Sequence, residues 1–237
     1  MTGTLEELVA AACVWLATHW GLAAKPVREP LVSAMGEGGF RIAYSLISIV
    51  SIVWVGVAYA AAPPGAHLWY LGIGVAHGSA VLMLIPFVFV VAGLSGPNPS
   101  SIGSEGTLND PDPVRGMMRI TRHPGLWGIG LWGLLHMLSN GDTRSLILFG
   151  SMAATALIGT IFLDGKKLRS LGGPYASFKL ATSNIPFAAI IDGRQRLGPV
   201  FGEIGVVRFA IAIALYALFL VIHGWLFAVP VFPGLPV

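Results

Sequence analysis

Charge is scarce in this sequence. Lys, Arg, Asp and Glu make up 11% of its 237 residues, against 55% for the apolar types. Soluble domains carry roughly a quarter charged residues, so composition alone excludes one. Cysteine is scarcer still: Cys13 stands by itself inside an apolar run, which excludes disulfides and thiolate clusters. No Walker motif, nucleophile triad or carboxylate pair is present. The N-terminal run lacks the positive flank of a signal peptide, because Glu6 and Glu7 stand there, and it is read as a membrane helix. Neither a linker nor a repeat interrupts the chain, so a single domain over 1–237 is expected.

What the sequence does have is a succession of apolar runs long enough to cross a bilayer. They fall at about Leu5–Ala24, Phe40–Ala61, Leu68–Leu94, His123–Ser139, Thr143–Leu163 and Val206–Val229. The expected fold is all-α, a polytopic membrane bundle of about six helices. Of the 14 Lys and Arg, all but Arg144 fall in or beside loops one, three and five. The positive-inside rule then puts those loops in the cytoplasm and both termini outside, in an inner (cytoplasmic) membrane. The net charge of +3 reflects this topology and implies no nucleic-acid partner.

Arg119 to Asp142 organises the rest: RITRHPGLWGIGLWGLLHMLSNGD. Pro124 suits a first helical position, and Asn140-Gly141-Asp142 is turn chemistry. His123 and His136 are separated by thirteen residues, roughly 20 Å along a helix and on nearly opposite faces. They cannot hold one metal together. Trp132, Gly133, Ile129 and Gly125 share the face of His136; the two glycines permit close approach by a flat group or by another helix. An ionisable residue this deep in an apolar helix needs a partner or a function.

Other histidines punctuate the runs. His19 precedes Trp20 and Gly21 near the inner end of the first, His77 lies at mid-depth in the third, and His223 falls in the outer half of the last. His67 sits at the outer interface, where water reaches it. A kink is expected at Pro86. A short surface helix is expected at Asp112–Arg115, and an amphipathic one on the membrane surface at Leu163–Leu171. Asp142, Asp164 and Asp192 are expected to cap helices or to pair with loop arginines.

Three stretches carry a resemblance: Arg119-Ile120-Thr121-Arg122-His123-Pro124 with Trp132 and His136, the run Ser183 to Gln195 (SNIPFAAIIDGRQ), and His19-Trp20-Gly21-Leu22-Ala23. Together they resemble the NnrU family, most nearly its carotenoid-pathway branch of ζ-carotene isomerases. The resemblance implies an integral membrane isomerase that uses haem b iron, held by His19 and His136, on the central cis double bond of a carotene. It implies that the iron works when reduced. Arg119, Arg122, His123 and Trp132 are the accompanying cofactor-binding candidates, the two arginines toward a propionate. By depth along the spans, His77 and His223 are alternate ligands for His136. The plant enzymes have a cysteine where this chain has Gly133, so a thiolate switch is not expected here.

Two further readings stay open. One is a non-carotenoid haem membrane protein linked to nitrite and nitric oxide metabolism, as the family's name suggests. Arg122-His123-Pro124 and a later Gly-x-x-Tyr ending at Tyr175 resemble the membrane methyltransferases that carboxyl-methylate isoprenylcysteine, in which the Arg-His pair helps hold S-adenosylmethionine. For the isomerase reading the expected partners are a lipophilic polyene from the bilayer, the lipid itself, and a membrane-bound desaturase or electron donor.

Overall fold

The computed structural model describes residues 2–101 and 103–234. Eleven helices occur among them: α1 (Leu5–Ala17), α2 (Lys25–Ala61), α3 (Ile73–Leu82), α4 (Leu84–Ser95), α5 (Met117–Ile120), α6 (Pro124–Ser139), α7 (Thr143–Leu171), α8 (Gly173–Ala181), α9 (Ala188–Ile191), α10 (Val200–Ile204) and α11 (Val206–Phe227). No strand is formed among the described residues; the only pairing is an isolated bridge between His67 and Asp142. The long apolar runs become helices over most of their length, although the third starts at Ile73 rather than Leu68.

Four helical stretches are long and apolar enough to cross a membrane: Lys25–Ala61, Ile73–Ser95, Thr143–Leu171 and Val206–Phe227. The first and fourth expected spans are shorter. α1 has 13 residues before a π turn at Thr18–Leu22, and α6 has 16. α2 reaches back to Lys25 but is broken at Gly36, whose φ of 75° no helix interior adopts. The third run breaks at Met83, between α3 and α4. That is three residues before Pro86, as expected of a ring that removes a donor and crowds the preceding turn.

Local chemistry sets the helix ends. Thr4 caps α1, its Oγ1 accepting from the Glu7 N–H at 3.2 Å, while the Glu7 carboxylate accepts from Gly3 N at 3.1 Å. Glu7 is therefore a capping residue. Asp142 caps α7 by accepting from Ser145 N at 3.0 Å. Two expected surface helices are displaced. Residues 163–171 continue α7 without a break, and the separate short helix is the next one, α8. Asp112–Arg115 is extended, with a 3-10 turn before it and α5 after it.

α6 is central, packed on α7, α4 and α3; α7 packs in turn on α1, and α4 on α11. Glycines make this approach possible. A Cβ on Gly128 would lie 2.6 Å from Val90, one on Gly133 would lie 2.8 Å from Phe149 O, and one on Gly130 would collide with Leu157. The small residues of α6 thus serve helix packing. α11 is different: of its 22 residues only Ala212 is buried. Near the described ends, Gly3 packs against Ala61 and Gly234 against Ile73.

Candidate functional site

Two Trp-x-x-x-His pairs repeat one geometry. On α1 and its π turn, His19 Nδ1 lies 2.9 Å from Trp15 O, with the two rings 3.8 Å apart. On α6, His136 Nδ1 lies 2.9 Å from Trp132 O, with ring centroids at 4.7 Å. A carbonyl can only accept, so each Nδ1 carries the proton and the lone pair of each neutral ring is on Nε2. Neither Nε2 has a hydrogen-bond partner among the described residues. A backbone carbonyl that fixes Nδ1–H in this way leaves Nε2 available as a donor atom.

Their surroundings differ. His136 stacks on Phe149 of α7 (4.4 Å, 21°), and Trp132 meets the same ring edge-on at 5.2 Å. His19 is half-buried beside Tyr44 at 5.9 Å. Next to it, Trp20 has a buried indole N–H without an acceptor. Trp15 donates to Thr155 Oγ1 at 2.8 Å, and Trp20 meets Phe162 at 6.4 Å. Measured along α7, His19 therefore sits between the levels of Thr155 and Phe162 and His136 at the level of Phe149. At ~1.5 Å per residue the difference is roughly 15 Å. The donor chemistry at each histidine fits a haem ligand, whereas the two rings do not converge on one point. Among the described residues no three His, Cys, Asp or Glu side chains gather in a metal-binding group.

The alternates are engaged with the C-terminal segment. His77 Nε2 lies 3.0 Å from Pro233 O, and His223 Nδ1 lies 2.8 Å from Val229 O. His67 is exposed in the segment between α2 and α3.

At the opposite end of α6 the structure brings together Arg122, His123, Asp164 and Tyr175, all buried. Arg122 Nε donates to Asp164 Oδ1 at 2.8 Å, and its Nη2 donates to Oδ2. His123 Nε2–H donates to Oδ1 at 2.8 Å and Tyr175 O–H to Oδ1 at 2.9 Å. Burial pushes the Tyr175 phenol up, so it remains a donor. Beside this cluster Lys167 reaches Ser101 O at 2.9 Å and Glu105 at 2.6 Å, and that bond holds the Glu105 carboxyl below its ordinary range. Arg119 is met by Glu203 (2.8 Å) and Gln195 (2.8 Å). Both arginines expected to face a propionate thus face groups of this chain. Arg122, His123 and Tyr175, on which the methyltransferase likeness rests, do converge, but upon Asp164.

The segments 119–124 and 183–195 are zipped together. Arg122 N donates to Ser183 O at 3.0 Å, and Phe187 N donates to Ile120 O at 2.9 Å. Asn184 bridges α6 and α7, accepting from Trp127 Nε1 at 3.1 Å and donating to Thr160 Oγ1 at 2.8 Å. Arg194 Nη1 donates to Leu180 O and Thr182 O, and Gln195 Nε2 to Ala181 O. Sequence reasoning had both segments but not their contact. It named Asp164 as an arginine partner, which it is, without seeing that one carboxylate serves three donors. Asp142 caps α7, and Asp192 pairs with Arg194 at 2.8 Å.

Fold and site define a helical membrane protein that keeps its buried ionic chemistry at one end and two imidazoles with free nitrogens within its apolar part. The chain belongs to the NnrU protein family, which it matches over residues 7–231. It is 30% identical over 195 residues to the chloroplastic 15-cis-zeta-carotene isomerase of Arabidopsis thaliana, covering 78% of this chain and 50% of that protein. It is 40% identical over 82 residues to the chloroplastic 15-cis-zeta-carotene isomerase of Zea mays, covering 35% of this chain and 22% of that one. The chain thus spans at most about half the length of these curated relatives. No solved structure matches it.

Proposed function

We propose that this protein is an integral membrane isomerase acting on the central cis double bond of a carotenoid polyene, with haem b as its cofactor and with His19 and His136, whose rings stand apart in this structure, as the candidate ligands that haem binding would have to bring together. The observation that carries the reading is the likeness to 15-cis-zeta-carotene isomerase over 78% of the chain. The shared ligand geometry of His19 and His136 supports the cofactor. Haem held by these residues would supply, when reduced, the electron density that a transient loss of double-bond order requires. The chain's own residues do the rest. Trp15 O and Trp132 O fix the tautomer and direction of each imidazole. The aromatic rings of Trp132 and Phe149 keep water from His136.

The arrangement in the membrane belongs to the same proposal: six crossings, with α1 plus its π turn and α6 as the two short ones, and the basic end in the cytoplasm of the inner membrane. The short α6 is packed on α7, α4 and α3 along its glycine face, while Ile129, Leu134 and Leu138 stay exposed on the other side. The polyene enters from the bilayer, and a desaturase or electron donor in the same membrane is the expected partner.

The test is spectroscopic. Protein purified from haem-replete cells should show a Soret band that shifts with dithionite, and reduced protein should convert 15-cis-ζ-carotene in the dark. His136→Ala and His19→Ala should each lower haem content at least tenfold, and His67→Ala should not. No Soret band in wild-type protein refutes the haem assignment. Haem without isomerisation in either redox state refutes the reaction and favours the nitric oxide reading.

A further inference from the structure

Below the zipped segments lies an open cavity of about 450 Å³, lined by Lys179, Leu180, Ser183, Asn184, Ile185 and Arg194. Arg122 closes its inner wall. The contributions to this wall are of three kinds. Lys179 is half-buried and has no acceptor or ion-pair partner among the described residues. Arg194 places its guanidinium at the edge and stays partly exposed while paired with Asp192. The backbone N–H groups of Ser183, Asn184 and Ile185 have no acceptor among the described residues, whereas Thr182 N–H before them bonds Phe178 O and Pro186 after them has no N–H. A ligand offered an ammonium and successive peptide N–H groups is an anion.

The rim points to what carries the anion. Leu180 (76% exposed) and Ile185 (65%) line the opening, Ile191 (82%) follows one turn after the lining residue Ala188, and none belongs to a helix long enough to cross a membrane. α8 begins two residues after α7 ends, so this rim stands where a spanning helix leaves the membrane. Phe187, also exposed, holds a left-handed backbone (φ 66°, ψ −8°) with its N–H fixed to Ile120 O. A bulky residue in that region is strained, and the strain persists because the surrounding bonds hold it. It turns the chain between Ile185 and Ile191, so that both remain on the outside. Apolar side chains around a basic cavity at this level are the pattern of a surface that enters the headgroup layer.

We propose that this cavity binds the phosphate of an anionic phospholipid, with Lys179 as the principal cation and Ile185, Leu180 and Ile191 among the acyl chains. The site is separate from the histidines, and it stands or falls independently of the reaction proposed above.

The experiment uses the full-length protein in a neutral detergent and follows its thermal unfolding. Phosphatidylglycerol should raise the Tm by about 3 °C over phosphatidylcholine of the same chain length. Inorganic phosphate alone should leave it unchanged. Lys179→Gln should melt like wild type without lipid and lose the shift, Lys179→Arg should retain it, and Arg41→Gln, a change elsewhere among the basic residues, should also retain it. Equal stabilisation by the two lipids overturns the proposal. So does an equal phosphatidylglycerol shift in wild type and Lys179→Gln, which would report diffuse charge. A full shift with inorganic phosphate would make the free anion the ligand and overturn the lipid assignment.

Discussion

Asp164 shows how one side chain can govern an end of the molecule. Its two oxygens receive Arg122, His123 and Tyr175, residues from the start of α6 and from α8, while Asp164 itself comes from α7. Replacing it with Ala leaves the Arg122 guanidinium buried without a counterion, which typically costs about 3–5 kcal/mol. The expected result is a large fall in Tm, partly restored by adding Arg122→Met; a Tm unchanged by Asp164→Ala would contradict this account. Glu203 is a milder case with a pH signature. The bond from Arg119 holds its carboxyl below its ordinary 4.5. A depressed folded-state value means the contribution is present above the unfolded value and is lost as pH falls through the folded one. Melting followed from pH 6 to pH 3 should show Glu203→Gln losing less stability than wild type over the acid part of the range. Identical acid limbs would show that Arg119 exerts no such hold.

At the scale of elements, much could be read in advance and the omissions have physical causes. Apolar runs gave the long helices, because length and hydropathy suffice there. Pro124, Asn140 and Asp142 gave the ends of α6 and the start of α7, because capping is local. The break at Gly36 and the π turn at Thr18–Leu22 were not legible: a glycine is compatible with helix and break alike, and an i→i+5 turn has no compositional mark. Nor was the union of 119–124 with 183–195, since contact between segments some sixty residues apart leaves no periodicity. Gly133 lay between two readings, close approach of a flat ligand or of a helix. Its distance to Phe149 O decides for the helix.

For the whole molecule the testable matter is orientation. Single cysteines placed in a Cys13→Ser background should react with a membrane-impermeant maleimide in intact spheroplasts at residue 67, in the turn before α3, and not at residue 196, beyond the zipped segments. The reverse pattern would invert the proposed topology. Firmness, too, is unevenly distributed. The centre is locked by glycine contacts between α6 and its neighbours, whereas α11 touches the rest mainly through α4, with Arg208 reaching Ser95, and through one bond to α3, from Tyr216 to Ala80 O at 3.0 Å. Almost everything else on α11 faces outward. Its other neighbour is then the bilayer, and the order of disassembly follows. Delipidation should loosen α11 first, while α6 and α7, held by close glycine contacts, part last.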